Sequence, residues 1–257
     1  MRQLYVEALI RADQDVLWER TQEPDQHRRW DLRFTEIDYL PPVEGQPQRF
    51  RYATRVLPWL TVSGIGIAAG ERHRPDGTRT SALRFSSAHP LSLLAEGSGY
   101  WRYVPTREGV RFLTGYDYRP RWGRAGALAD HVLFRPLMGW ATAWSFDRLR
   151  LWLERGSTPA RTLGHALAEL VVRTAVVALA VALAGSAPLV AAALPAVVPA
   201  LVVAAGAPLV GALLLAAALF LPPLPGTPAA RRCLRRPPAS VRTPSLLTDL
   251  TRKELRA

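Results

Sequence analysis

The chain has 257 residues, is 49% hydrophobic and 21% charged, and carries a formal net charge of +12. These averages exclude a collagen, a disordered polyelectrolyte and a disulfide scaffold, and a single cysteine, Cys233, excludes any intrachain disulfide. They conceal a segregation: 21 of the 22 aromatic residues lie at or before Trp152, while a run of 57 residues from Thr174 to Ala230 holds no Asp, Glu, Lys, Arg or His. Lys253 is the only lysine among 33 basic residues, which together with abundant Ala, Pro and Arg reads as the coding bias of a GC-rich bacterial genome. The arginines of the first 160 residues are scattered among acids rather than clustered, so no nucleic-acid partner is expected.

In chain order, Leu4–Ile10 alternates and is rich in β formers, which predicts a strand. Asp13 is placed to cap a helix carrying Val16, Leu17 and Arg20, and a second short helix is expected over Asp25–Trp30 after Pro24. Strand-like runs follow at 33–40, 48–57, 61–70, 79–87, 95–105 and 109–119, punctuated by Pro41-Pro42, Pro58, Asp76-Gly77, Pro90 and Glu108-Gly109. From Leu128 to Glu154, Val132, Leu133, Leu137, Trp140, Ala141, Trp144, Leu151 and Trp152 recur at helical spacing, and Gly156 supplies a stop.

Strand periodicity sorts side chains onto faces. Phe50, Tyr52 and Thr54 share one, opposite Arg49, Arg51 and Arg55. Leu83 and Phe85 lie opposite Arg84, Trp101 and Tyr103 opposite Arg102, and Phe112, Thr114, Tyr116 and Tyr118 opposite Arg111 and Asp117. These apolar faces are expected to meet the long helix at Trp140 and Trp144, either filling a core or lining a cavity.

The order strand, helix pair, six strands, long helix resembles the START-like superfamily, also called SRPBCC or polyketide cyclase/lipid-transport superfamily. The residues that carry the resemblance are Ala12-Asp13-Gln14-Asp15-Val16-Leu17-Trp18 at the strand-to-helix entry, His27-Arg28-Arg29-Trp30-Asp31 before the second strand, and the helix at 128–154. It covers about residues 3–155 and implies an α+β helix-grip domain, 1–155, in which an antiparallel sheet of about seven strands wraps a long C-terminal helix around a ligand cavity. In that fold the cavity candidates are Phe50, Tyr52, Thr54, Leu83, Phe85, Trp101, Tyr103, Phe112, Thr114, Tyr116, Trp140 and Trp144, with Tyr52, Thr114 and Tyr116 as polar handles.

No catalytic constellation stands out. His27, His73, His89, His131 and His165 lie at no metal-ligand spacing, so no metal or cofactor is expected. The glycines of Gly64-Ile65-Gly66-Ile67-Ala68-Ala69-Gly70 lie in a strand-like run and lead to no helix, which rejects a dinucleotide loop.

After a linker at 156–166, residues Thr174 to Leu221 hold 18 Ala, 11 Leu and 9 Val in 48 positions. That length suits two membrane spans of roughly 20 residues each, placed at 167–187 and 200–221, with Pro188, Pro195 and Pro199 between them and Pro222-Pro223 ending the second. Arg173 precedes or enters the first span, with Glu169 at i−4 to pair with it, and Arg231, Arg232, Arg235 and Arg236 follow the second in a basic tail, 222–257. Basic flanks on both sides of an uncharged loop place the N-terminal domain and the tail in the cytoplasm, at the inner membrane. The expected protein is therefore a membrane-anchored domain that binds a lipid, quinone or polyketide-like molecule. Its alternatives are a cyclase, aromatase or dehydrase acting in the same cavity, and an interaction module whose core is filled.

Overall fold

The computed structural model describes residues 3–193 and 199–238, and side chains over 3–185, at 206 and over 208–238. The expected turn proline Pro195 and the tail from Ser240 to Ala257 lie outside the described residues. The chain divides into two units. One comprises the residues up to Pro159 together with those from Pro228 onward, and the other is Ala160–Thr227.

The first unit is a seven-stranded antiparallel sheet: β1 (Leu4–Ile10), β2 (Glu36–Tyr39), β3 (Arg49–Leu57), β4 (Leu60–His73), β5 (Arg79–Ser86), β6 (Leu94–Thr106) and β7 (Gly109–Pro120). Its order is β1-β7-β6-β5-β4-β3-β2, a meander closed by the first strand on the last. Helices α1 (Gln14–Gln22) and α2 (Pro24–Trp30) join β1 to β2. After β7 come α3 (Gly123–Ala129), a π-helical turn (Asp130–Phe134) and α4 (Arg135–Arg155). Asp13 caps α1 as expected, its Oδ1 accepting from the backbone of Asp15 at 2.7 Å and Val16 at 3.2 Å, and Gly156 ends α4 in the left-handed conformation with φ 63°.

Glycine lets the sheet hold large rings flat against its surface. Gly66 pairs with Phe50 and Gly64 with Tyr52, and a Cβ at Gly66 would stand 2.1 Å from the Phe50 ring. Gly97 pairs with Phe85 and Gly99 with Tyr116 in the same way. A bulge between Ala68 and Gly70 adds local twist to β4.

One end of the space between sheet and helix is packed solid. Phe112 stacks on Phe146 of α4 at 4.4 Å, Trp30 meets both edge-on, and Tyr103 lies against Phe112 at 5.0 Å. All four are fully buried. The inward stripe of α4 is Met138, Thr142, Ser145, Phe146 and Leu149, at helical spacing.

Past Pro228 the chain returns to this unit. A 3-10 turn (Ala230–Arg232) lies beside α4, and Glu7 and Leu234 exchange backbone hydrogen bonds of 2.9 Å at the free edge of β1. The anchor is Asp147, whose side chain is wholly buried. It accepts from Arg150 Nε at 2.7 Å, Ala229 N at 2.8 Å and Arg232 Nη1 at 2.9 Å. Part of the segment expected as a membrane-flanking tail is thus docked protein, and Arg232 is an ion-pair partner of Asp147, while Arg231, Arg235 and Arg236 are exposed.

The second unit contains α5 (Pro159–Ala193) and α6 (Pro199–Phe220). Helix α5 begins at Pro159, so the expected linker shrinks to 156–158, and Pro188 falls within α5. Among the described residues, Pro159–Gly185 is long and apolar enough to cross a membrane, and Pro208–Phe220 is a shorter apolar helix. Arg173 pairs with Glu169 at 2.7 Å as expected. It also donates to the carbonyls of Ala218 at 2.6 Å and Leu221 at 2.9 Å, which satisfies the C-terminal end of α6.

Candidate functional site

Beyond the packed end, the sheet and α4 enclose a cavity of about 830 Å³. Eight of the twelve expected residues line it: Phe50, Tyr52, Thr54, Leu83, Phe85, Trp101, Thr114 and Tyr116. Four lie elsewhere. Tyr103 and Phe112 belong to the packed end, where Tyr103 hydroxyl meets Thr21 Oγ1 at 2.5 Å and accepts from Gln22 Nε2 at 2.9 Å. Trp140 and Trp144 stack on each other at 6.3 Å on the side of α4 that carries Ala143 and Asp147. Two residues of helix turn through about 200°, so the 140/144 stripe is opposite the 138/142 stripe. Phe134 and Met138 face the cavity instead.

The three expected polar handles spend their hydrogens within the protein. Tyr52 donates to Ser86 O at 3.3 Å, and burial pushes its phenol up to about 12. Thr114 donates to Tyr100 O at 2.9 Å. Thr142 donates to Met138 O at 2.7 Å, so at its 2.9 Å contact with Tyr116 it accepts the phenolic hydrogen.

The chemically distinctive wall comes from residues that spacing on strands did not single out. Asp31 follows α2, and its buried carboxylate accepts from Arg33 Nε at 2.9 Å, Arg33 Nη2 at 2.6 Å, Arg33 N at 3.0 Å and His27 Nε2 at 3.1 Å. Leu32 N donates to Ser145 Oγ at 2.9 Å and Thr54 Oγ1 donates to Arg33 O, which ties this turn to α4 and β3. His27 and Arg33 both line the cavity. His27 stacks on Trp30 at 5.1 Å and meets Trp101 edge-on at 4.8 Å, while Arg33 lies over the rings of Phe34 and Tyr116 at 5.4 and 5.6 Å.

Burial alone would raise the Asp31 carboxyl, but the Arg33 charge and the His27 and Arg33 hydrogen bonds outweigh it and hold it well below the usual carboxylate range. For Arg33, burial opposes the charge, and Asp31 and Tyr116 restore it and raise the guanidinium further. Burial pushes His27 down against the pull of Asp31, which favours neutral imidazole. Because an ionised Asp31 only accepts, His27 carries its hydrogen on Nε2 and keeps Nδ1 as an acceptor. The wall therefore combines a fixed cation, an acceptor nitrogen and the rings of Phe34, Trp101 and Tyr116, with Trp30 behind His27. Glu71 is the other formal charge in the lining and is half-exposed. The spacing of His27 and Asp31, four apart along α2 and its cap, was a legible signal for this pair. Among the described residues no group of three His, Cys, Asp or Glu is arranged to hold a metal ion.

The sheet order and the long helix it grips make an α+β helix-grip fold. The chain is 48% identical over 170 residues, 65% of its length, to an uncharacterized membrane protein YndG of Bacillus subtilis (strain 168). It spans 63% of the length of that relative. No family model matches the chain. Among solved structures it is similar to a STAR-related lipid transfer protein from Xanthomonas axonopodis, with TM-score 0.45 and 18% identity over 60% of this chain and 87% of that one. It is also similar to the di-domain ARO/CYC StfQ of the steffimycin biosynthetic pathway, with TM-score 0.45 and 16% identity over 59% and 49%, and to the Zhui aromatase/cyclase from Streptomyces sp. R1128, with TM-score 0.41 and 13% identity over 61% and 98%.

Proposed function

We propose that the first unit binds a hydrophobic small molecule, a lipid, quinone or polyketide-like compound, and is held at the cytoplasmic face of the inner membrane by α5 and α6. The observation that carries the reading is the cavity itself. At about 830 Å³ it falls within the range of small-molecule sites, and its wall is apolar apart from a few fixed polar groups. An apolar body fits between Phe50, Leu83, Phe85 and Trp101, and an oxygen-bearing end fits against Arg33 and His27.

Membrane attachment is supported by the apolar Pro159–Gly185 segment, by outward-facing side chains such as Val171 and Phe220, and by the exposed Arg231, Arg235 and Arg236 near the return. The test is native mass spectrometry of the full chain released from nanodiscs, since residues 229–234 are part of the domain and a fragment ending near 158 would lack them. A bound molecule of lipid or isoprenoid mass is expected, and it should vanish when Leu83→Trp fills the cavity. A cavity that stays empty after exposure to lipid extract would overturn the reading.

A second reading, acid–base catalysis on a polyketide-like substrate, is favoured by the buried His27–Asp31 pair on the cavity wall. Conversion of a bound poly-β-keto substrate that is lost in His27→Gln would establish it over simple carriage.

A further inference from the structure

We infer that the open end of the domain is a bilayer-docking surface, with the rim of the cavity seated in the headgroup and acyl layer of an anionic membrane. Because neighbouring strands of the meander are antiparallel, the β3–β4 turn, the 87–93 connection and the exit from β7 all lie at the same end of the sheet. Each of the three borders the cavity, through Leu60, Leu91 and Phe134 respectively. Each also presents apolar side chains to the outside. Trp59 at the tip of the β3–β4 turn is 81% exposed and Leu133 in the π turn is 68% exposed, with Leu91, Leu128, Leu137 and Trp140 also exposed. Exposed large apolar side chains gathered at one end of a domain mark an interaction site.

Charge selects the partner. Residues 53–70 and 87–93 contain no acid, and between 121 and 146 the one acid is Asp130. Asp130 is buried, accepting from Tyr118 at 2.5 Å and from Arg135 Nε at 3.2 Å, so it offers no negative charge at the surface. Arg55, Arg124 and His131 are exposed on the same segments. The exposed carboxylates nearest this end are Glu96, paired with Arg119 at 3.0 Å, and Asp117, both set back on the strands. Tryptophan and leucine at the tips with arginine behind them match acyl chains under anionic headgroups. The docking proposal stands on these surface features, apart from the cargo assigned above.

The test uses the full chain in nanodiscs of phosphatidylcholine and phosphatidylglycerol, with a nitroxide at Trp59→Cys, Leu133→Cys or, as a control at the opposite end of the sheet, Glu108→Cys. Native Cys233 is buried, and the unsubstituted chain taken through the same labelling sets the background. Labels at 59 and 133 are expected to shift severalfold from collision with an aqueous nickel chelate toward collision with oxygen, relative to 108, and the shift should shrink without the anionic lipid. Water-like accessibility at both positions would overturn the inference. So would shielding from both relaxants, which means that a second copy or another part of the chain covers the rim. Ligand mass measured on the same samples reads the cavity independently, so docking and cargo binding can fail separately.

Discussion

Cys233 offers a direct measure of the segment that returns after Pro228. Its thiol is buried, contacts Ala143 O at 3.3 Å and is pushed up to about 12 by burial, with the Asp147 charge adding to the rise. A free thiol titrates near 8.5, so at pH 8 roughly a quarter of it is thiolate, against about one part in 10⁴ at a pKa near 12, a difference of ~10³ in reactive species. Asp147→Asn keeps the shape of the anchor and removes its charge. One charge-assisted hydrogen bond contributes about 1.5–3 kcal/mol, so its loss favours opening of the segment by about 10- to 150-fold. Labelling of the full chain with a thiol reagent, followed over time at pH 8, is expected to be slow in the native protein and faster by that factor in the variant, with the circular dichroism of the sheet unchanged. Free-thiol rates in the native chain would mean that 229–234 is not docked. Equal rates in both would mean that Asp147 is not what holds it.

Breaking the buried Arg33–Asp31 pair with Arg33→Met should cost about 3–5 kcal/mol in chemical denaturation, because Asp31 keeps its charge with only hydrogen bonds from neutral His27 and the backbone N at 33 to offset it. The same variant removes a neighbouring cation that lowers His27, so the imidazole pKa, followed by NMR, should rise. Gly66→Ala must push the Phe50 ring toward the cavity, with an expected loss of about 1–3 kcal/mol and weaker binding of the largest ligands by native mass spectrometry. Stability should depend on pH through His27. Its folded pKa lies below the unfolded value near 6.5, so the unfolded chain takes the proton first and stability falls as pH drops below about 6.5. Denaturation midpoints at pH 7.5 and 5.5 check this, and His27→Gln should flatten the difference. Asp31 acts lower on the scale, contributing stability above its unfolded pKa near 3.9 and losing it as pH falls further.

Local chemistry made the element order legible in the sequence. Asp13, Gly156 and the Glu169–Arg173 pair each act within one helical turn, and the strand runs carry their own period of two and their own turn residues. The cavity wall followed from the same period on β3, β5 and β7. The choice of Trp140 and Trp144 failed because α4 is apolar on two sides, one facing the cavity and one beside the returning segment. Periodicity finds apolar stripes but does not say which partner each one meets. Arg33 escaped notice because its role depends on Asp31, His27, Tyr116 and Phe34 converging in space, and a single arginine in a basic chain carries no such signal. The same holds for Asp147, whose partners Ala229 and Arg232 lie more than eighty positions away.

The return of the chain at Pro228 constrains the two apolar helices more strongly than the count of flanking arginines does. The segment that begins at Pro159 leaves a body to which residues 229–234 belong, through Asp147 on α4 and through the edge of β1. A hairpin inserted in this way must begin and end on one side of any membrane it enters. If α5 crosses, α6 has to cross back, whatever the weak insertion tendency of its alanines. The exposed Arg231, Arg235 and Arg236 then stand on the same side as the domain, with Arg232 diverted to Asp147. Of the basic residues near the end of the apolar run, Arg232 closes the fold of the domain through Asp147, and Arg231, Arg235 and Arg236 are left exposed.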